Sequence, residues 1–365
     1  MKPSIDSAAE MIPVIDIAPL VNLCGGDSNS SKATSAELEN AIKSIADACQ
    51  KFGFFATINH GVDGATIKDA WTASTEFFDM ESSVKQSVKM TDEYPYGYEN
   101  YESLGVERST SDANNMTQDT LTPDSKETFS LGPLNSELSN MPPRKFPLNA
   151  SSNFAPATER YYSAMEHLAK ILFKGLAMAL KLDDASWFLQ EGRFNDGHQC
   201  ALRILNYPEL EYETDVSTVQ IRAGAHTDYG AFTILKSGGP GLQLQLSKDK
   251  EWIDVPHLED SFIINLGDLM QRWTNDKWTS TLHRVVATDN NADDDRIGDG
   301  GQKLFKSARR QSIAFFVNMN GNAIVMPLET CVDETHPSKY VPIKASEHLI
   351  QRHNQSMMAK HKRKE

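Results

Sequence analysis

The chain has 365 residues, 39% of them hydrophobic and 8% aromatic, so it can bury a sizeable core as one large or two ordinary domains. A formal net charge of −14 argues against a nucleic-acid groove, because neutralising phosphates requires clustered Lys and Arg. The cysteines at 24, 49, 200 and 331 show no CxxC spacing, the N-terminus lacks an apolar stretch long enough for a signal peptide, and nowhere are 18 apolar residues consecutive. The expectation is a reduced, cytoplasmic protein that binds neither nucleic acid nor membrane.

In chain order, "IPVIDI" (12–17) is a short strand candidate whose Pro13 places it at an edge or entry. Residues 25–35 read as a loop. Leu38, Ile42, Ile45, Cys49 and Phe52 then recur at helical spacing over 36–52, and Gly53 stops the run. "FFATINHG" (54–61) reads as a strand, and 91–125 as a long surface connection. A strong helix is expected over 156–182, with Tyr161, Met165, Leu168, Leu172, Leu176 and Ala179 as its apolar stripe.

After residue 198 short β-prone segments follow at 201–207, 219–223, 231–236, 242–246, 252–255, 262–266, 283–287 and 311–317, most of them separated by turn residues. That texture fits a sandwich or jelly roll. The chain divides into an N-terminal region (1–150), a helix plus β core (151–345) and a short helical, basic tail (346–365), whose "KHKRKE" reads as solvated.

Candidate chemistry centres on "GAHTDYGAF" (224–232). If this is strand, His226 and Asp228 share a face, with Thr227 facing away. A metal needs a third ligand, and His283, opening the β-branched "LHRVV", is the best placed of the remaining histidines. Two histidines and a carboxylate with open positions suit a non-haem Fe(II) centre. The bland reading is a capping Asp and two satisfied core histidines. In "RQSIAFF", Arg310 and Ser312 lie two apart on one strand face, a pair able to grip a carboxylate. An exposed edge-strand arginine is the alternative. Tyr207 lies on the strand leading towards His226.

The ordered set "IPVIDI", "KFGFFATINHGV", "DSKETFSLG", "LRILNYP", "HTDYGAFTIL", "LHRVV" and "RQSIAFF" resembles the isopenicillin N synthase-like family of Fe(II)- and 2-oxoglutarate-dependent dioxygenases over roughly residues 12–345. The resemblance implies a mainly β fold with flanking α elements: a double-stranded β-helix (jelly-roll) core with an N-terminal helical region. It implies that His226, Asp228 and His283 hold Fe(II), and that Arg310 and Ser312, with Tyr207, hold 2-oxoglutarate. O2 would be the second cosubstrate, and a small molecule would be hydroxylated, desaturated or cyclised with release of succinate and CO2. Phe316, Asn318, Tyr96 and Tyr98 fall where the family's substrate pocket lies, and a monomer is expected.

Three departures stand out: Gln311 replaces an aromatic or aliphatic residue, Met319 replaces a common Pro, and His283 and Arg310 are 310 − 283 = 27 apart where relatives are closer. The acidic insert 289–308 fills that gap; it reads either as an inert loop or as a lid in which Leu304 and Phe305 rest on the barrel mouth. Two rivals remain at this point: an iron oxidase whose Arg310 and Ser312 grip the substrate's own carboxylate, and a zinc-binding or empty jelly-roll module. His60 reads as a satisfied loop histidine, and "GGPG" (238–241) as a turn.

Overall fold

A computed structural model describes residues 11–25, 34–100, 126–148, 153–214, 220–247, 251–288 and 303–361. The chain enters through β1 (Val14–Asp16) and α1 (Ala18–Gly25), and then forms α2 (Ser35–Lys51). Thr34 starts α2 with a capping box: its hydroxyl accepts from the Glu37 amide at 3.2 Å, and the Glu37 carboxylate accepts from the Thr34 amide at 2.8 Å. Ala41, Ile45, Ala48 and Cys49 supply the buried stripe. β2 (Phe54–Ile58) follows, ending before Asn59 and Gly61, both at positive φ.

Next comes α3 (Gly64–Phe78), capped by Asp63 accepting from the Thr66 amide; Thr66, Lys68, Asp69 and Thr72 dilute its apolar pattern, so periodicity alone does not expose it. α4 (Ser82–Gln86), β3 (Gly97–Glu99), β4 (Glu127–Leu131) and α5 (Ser136–Ser139) lead to α6 (Phe154–Ala179), the helix expected near 156–182. The surface connection expected from residue 91 is corrected here. Tyr94, Tyr96 and Tyr98 are buried and β3 pairs with β4, because the rings pack inward, Tyr98 on Phe77 and Tyr96 on Gly132 and Tyr94; 101–125 lie outside the described residues.

The β core runs through β5 (Ala201–Tyr207), β6 (Leu210–Thr214), β7 (Ile221–His226), β8 (Phe232–Ser237), β9 (Leu242–Gln245), β10 (Ile253–Asp254) and β11 (Phe262–Leu266). It continues through α7 (Asp268–Trp273), β12 (Leu282–Val286), β13 (Lys303–Ser307), β14 (Arg310–Val317), β15 (Ile324–Val325) and β16 (Ile343–Lys344), and α8 (Ala345–His361) closes the described chain. One large sheet has the order β1-β2-β11-β8-β14-β5-β4-β3, and a smaller one β10-β9-β12-β7. Together they form a jelly-roll core with the N-terminal helices outside it. Part of the insert after His283 is ordered strand: β13 pairs with β6, setting Phe305 opposite Tyr212, while 289–302 lie outside the described residues.

Alternation along the large sheet separates two interiors. Phe55, Phe232, Ile234, Phe262, Ile264, Ile313 and Phe315 join the helices in one apolar core. Their neighbours Phe54, Ala56, Ile263 and Ala314 meet Ala223, Leu242, Leu244 and Val285 of the smaller sheet in a second. The candidate site opens off this second interior.

Gly53 fixes how α2 hands over to β2. Its φ is +64°, and a Cβ there would stand 2.2 Å from the Thr279 carbonyl oxygen and 2.6 Å from Thr281 Oγ1. Gly53→Ala is therefore expected to lose about 2–4 kcal/mol of stability, from left-handed strain plus a backbone clash. Urea unfolding measures this, and a loss below about 0.5 kcal/mol would contradict the close approach.

Candidate metal centre

β7 and β12 are antiparallel neighbours, and their register sets His283 directly opposite His226. The ladder slips between His283 and Val285, a bulge that keeps Ala223, His226, Val285 and His283 on one face. β7 stops at His226, so Asp228 is not two places along a strand, as the sequence alone suggested. It lies in the turn that follows, and Thr227 between them is buried.

The turn is built from outside. The Asp268 amide donates to the Asp228 carbonyl at 2.8 Å, and the Leu269 amide to the Gly230 carbonyl at 3.0 Å, so the start of α7 carries it. Gly267 permits this approach: a Cβ there would lie 2.3 Å from the Gly230 carbonyl oxygen.

One nitrogen, Nδ1, of each histidine is committed to the backbone, His226 to the Gly224 carbonyl at 2.7 Å and His283 to the Thr281 carbonyl at 3.0 Å. With Nδ1 donating, each Nε2 presents a lone pair towards Asp228 Oδ1, at 3.8 Å for His226 and 3.9 Å for His283. The other carboxylate oxygen, Oδ2, accepts from Asn265 Nδ2 at 2.6 Å and from the Thr233 hydroxyl. Sequence inspection did not single out these two supports; alternation could have, since Thr233 lies between Phe232 and Ile234 on β8 and Asn265 between Ile264 and Leu266 on β11. One ligand atom from each of His226, Asp228 and His283 lies within 4.8 Å of the others, a set suited to a divalent metal.

Burial pushes the His283 imidazole down to about 4, reinforced by His226 and opposed by Asp228. Burial acts to raise the Asp228 carboxyl, but the histidines and the bonds from Thr233 and Asn265 outweigh it, so it titrates below the ordinary aspartate value.

Beyond the triad, Arg310 opposes Tyr207 across β14 and β5, and Ser312 is buried on the same face. Arg310 is half-buried on an interior strand rather than exposed at an edge. Its Nη2 donates to Ser237 Oγ at 2.8 Å and Nε to the Pro240 carbonyl at 3.0 Å, while the buried Nη1 has no partner among the described residues. The Tyr207 ring lies 5.2 Å from its guanidinium. Gln311 points the other way, donating to the Trp71 carbonyl at 3.2 Å and accepting from Thr75 at 2.9 Å.

The four pocket candidates divide. Phe316 lies in the second interior, its ring 5.7 Å from the Arg203 guanidinium. Asn318 lies against Gly230 of the metal turn, its amide bonded to the Gln199 carbonyl at 3.0 Å. Tyr96 and Tyr98 are not brought to the triad: Tyr98 packs on Phe77 in the helix-facing core and donates to Glu127 at 2.6 Å, and Tyr96 covers Gly132. His60 is satisfied locally, its Nδ1 accepting from the Val62 amide at 3.1 Å.

A buried histidine held neutral makes the fold sensitive to acid. Its folded value lies below the unfolded one of about 6.5, so stability present above pH 6.5 is lost as pH falls towards 4, where only the unfolded chain takes the proton. Kept free of metal by a chelator, the protein should lose about 1–2 kcal/mol to this group between pH 6.5 and 5.0. Urea midpoints at the two pH values measure the loss, and His283→Gln should reduce it. An unchanged pH slope in the variant would contradict the assignment.

Two family models match the chain: the non-haem dioxygenase N-terminal model over residues 12–149 and the 2OG-Fe(II) oxygenase superfamily model over 199–319. A homoarginine-6-hydroxylase of Oryza sativa subsp. japonica is 30% identical over 93% of this chain and 96% of its own length. A 2-oxoglutarate-dependent dioxygenase of Penicillium crustosum is 32% identical over 67% of this chain and 73% of its own. Among solved structures, a full-length Neurospora crassa protein in complex with alpha-KG is 25% identical, with a TM-score of 0.75, covering 95% of this chain and 97% of that one. With both family models in order along one jelly roll, the chain belongs to the 2OG-Fe(II) oxygenase superfamily, and is an Fe(II)- and 2-oxoglutarate-dependent dioxygenase acting on a small molecule.

Proposed function

We propose that His226, Asp228 and His283 hold the Fe(II), and that Arg310 and Ser312, beside Tyr207, hold the far carboxylate of 2-oxoglutarate. The observation that carries the second assignment is the buried, unpartnered Nη1 of Arg310, whose other nitrogens are committed to Ser237 and Pro240. A buried guanidinium left short of an acceptor is costly, and a carboxylate satisfies it by a charge-assisted bond. The donor chemistry of the triad supports the first: two imidazole nitrogens and one carboxylate oxygen, each oriented from behind.

Bound Fe(II) supplies the coupling of O2 reduction to 2-oxoglutarate decarboxylation, which yields succinate, CO2 and an oxidised product. This chain's residues provide position and environment. Thr233 and Asn265 hold Oδ2 of Asp228 and leave Oδ1 facing the histidines. Arg310 and Ser312 orient the cosubstrate from β14, with Ala314 small enough to leave room before Phe316. Phe316 and Asn318 border the space for the small-molecule substrate, whose hydroxylation, desaturation or ring closure follows from how it is presented. The net charge of −14 supports a partner other than nucleic acid, and four free cysteines support a reducing cytoplasm. Among the described residues no helix is long and apolar enough to cross a membrane.

Asp228→Ala should abolish turnover and weaken Fe(II) binding while leaving the far-ultraviolet circular dichroism unchanged; full activity would show the triad misassigned. Arg310→Ala should leave Fe(II) binding nearly intact but weaken 2-oxoglutarate, because losing a charge-assisted pair costs about 2–5 kcal/mol, roughly 30- to 4,000-fold. Succinate release against 2-oxoglutarate concentration reads this directly. Arg310→Lys should recover only part, since an ammonium lacks the planar fork. Unchanged saturation in Arg310→Ala would remove Arg310 from the cosubstrate site.

A further inference from the structure

The helix read from sequence as a short basic tail reaches the candidate metal centre. On α8, His348 and Arg352 are one turn apart, and both are buried. Arg352 is 4% exposed, and its guanidinium contacts two elements at once. Nη2 donates to the Thr227 hydroxyl at 3.0 Å, and Nε lies 2.6 Å from Asp268 Oδ2. The Tyr229 ring stands 4.8 Å from the same guanidinium. Thr227 is the residue between His226 and Asp228, Tyr229 follows Asp228, and the Asp268 amide holds the Asp228 carbonyl at 2.8 Å.

We propose that Arg352 is a positioning residue for the metal centre: the C-terminal helix clamps the His226–Asp228 turn through Thr227 and Asp268 and so fixes where the Asp228 carboxylate stands. The physical reason is that β7 ends at His226. Past that point no strand ladder holds the backbone, and Asp228 sits in a turn whose orientation depends on non-ladder contacts. α7 supplies backbone bonds from one side. Arg352 supplies a side-chain fork that ties Thr227 to the side chain of Asp268, the residue whose amide supports Asp228. Such outer contacts orient ligands, and losing one typically costs about 10- to 100-fold in metal affinity. A buried pair broken at one end also leaves a charge unpaired, so the turn should shift rather than stay put.

The inference rests on Asp228 being a ligand, and the experiment separates the two. Co(II) is titrated into the full-length metal-free protein and followed by its visible d–d absorption, alongside thermal melting without metal. Arg352→Gln should bind Co(II) about 10- to 100-fold more weakly and shift the band, because the ligand geometry changes. Thr227→Val removes one hydroxyl, leaves the ion pair, and should move affinity and band in the same direction by less; it decides the matter if Arg352→Gln does not fold. A melting temperature that falls in both variants while Co(II) affinity and band stay as in the parent would overturn the clamp and leave Arg352 a packing residue. Asp228→Ala is the control. Loss of Co(II) binding there upholds the ligand assignment independently of the clamp, whereas retained affinity would overturn that assignment and this inference with it.

Discussion

The site depends on the period-two alternation of the large sheet. Thr233 and Asn265 are directly paired across β8 and β11, and both deliver their polar atoms to one oxygen of Asp228. On the opposite face the flanking positions Phe232, Ile234, Ile264 and Leu266 fill the helix-facing core. A slip of one residue in either strand would bring an aliphatic side chain to a buried carboxylate and push a polar one into the apolar core. The packing that buries the large side chains therefore also fixes the orientation of the smallest polar groups.

The same economy governs β14. Arg310, Ser312, Ala314 and Phe316 face the second interior, and Gln311, Ile313, Phe315 and Val317 face the helices. Gln311 is a departure from the family pattern, and its amide joins two parts of α3, the Trp71 carbonyl and the Thr75 hydroxyl. A polar residue is tolerated there because the helix offers it both a donor and an acceptor. The strand that carries the candidate cosubstrate residues is thus pinned from behind by the N-terminal helical layer.

Much of this was legible in the sequence. The helices at α2 and α6 follow from apolar spacing and a stop signal, and the short strands after residue 198 from alternation and turns. The HxD pair, His283 and Arg310 stood out by residue type and order. What escaped did so for identifiable reasons. β6 and β13 form a ribbon between segments about ninety residues apart, and neither carries a periodic apolar face. Asp228 leaves its strand because α7 binds the turn backbone, a contact invisible to local pattern. Arg352 reads as one more basic residue near a charged terminus, and only the fold shows that it is enclosed. Tyr96 and Tyr98 carried a family position but not their environment, in which Phe77, Glu127 and Gly132 occupy them.

The order of strands in the large sheet has a consequence for synthesis. Its two margins, β1 and β2 on one side and β4 and β3 on the other, come from residues 14–131, whereas β11, β8, β14 and β5 between them come from the last half. β4 gains its partner β5 once Tyr207 has emerged and β2 gains β11 once Leu266 has, but the two halves join into one sheet only when β14, ending at Val317, pairs with both β5 and β8. The nascent early segment must wait for β5 and then β11 before the inner edges of β4 and β2 are paired, and the two halves stay separate until β14 emerges. Loop closure over such distances is slow. This chain should therefore complete its fold late, and be most exposed to misassociation just before its final strands emerge.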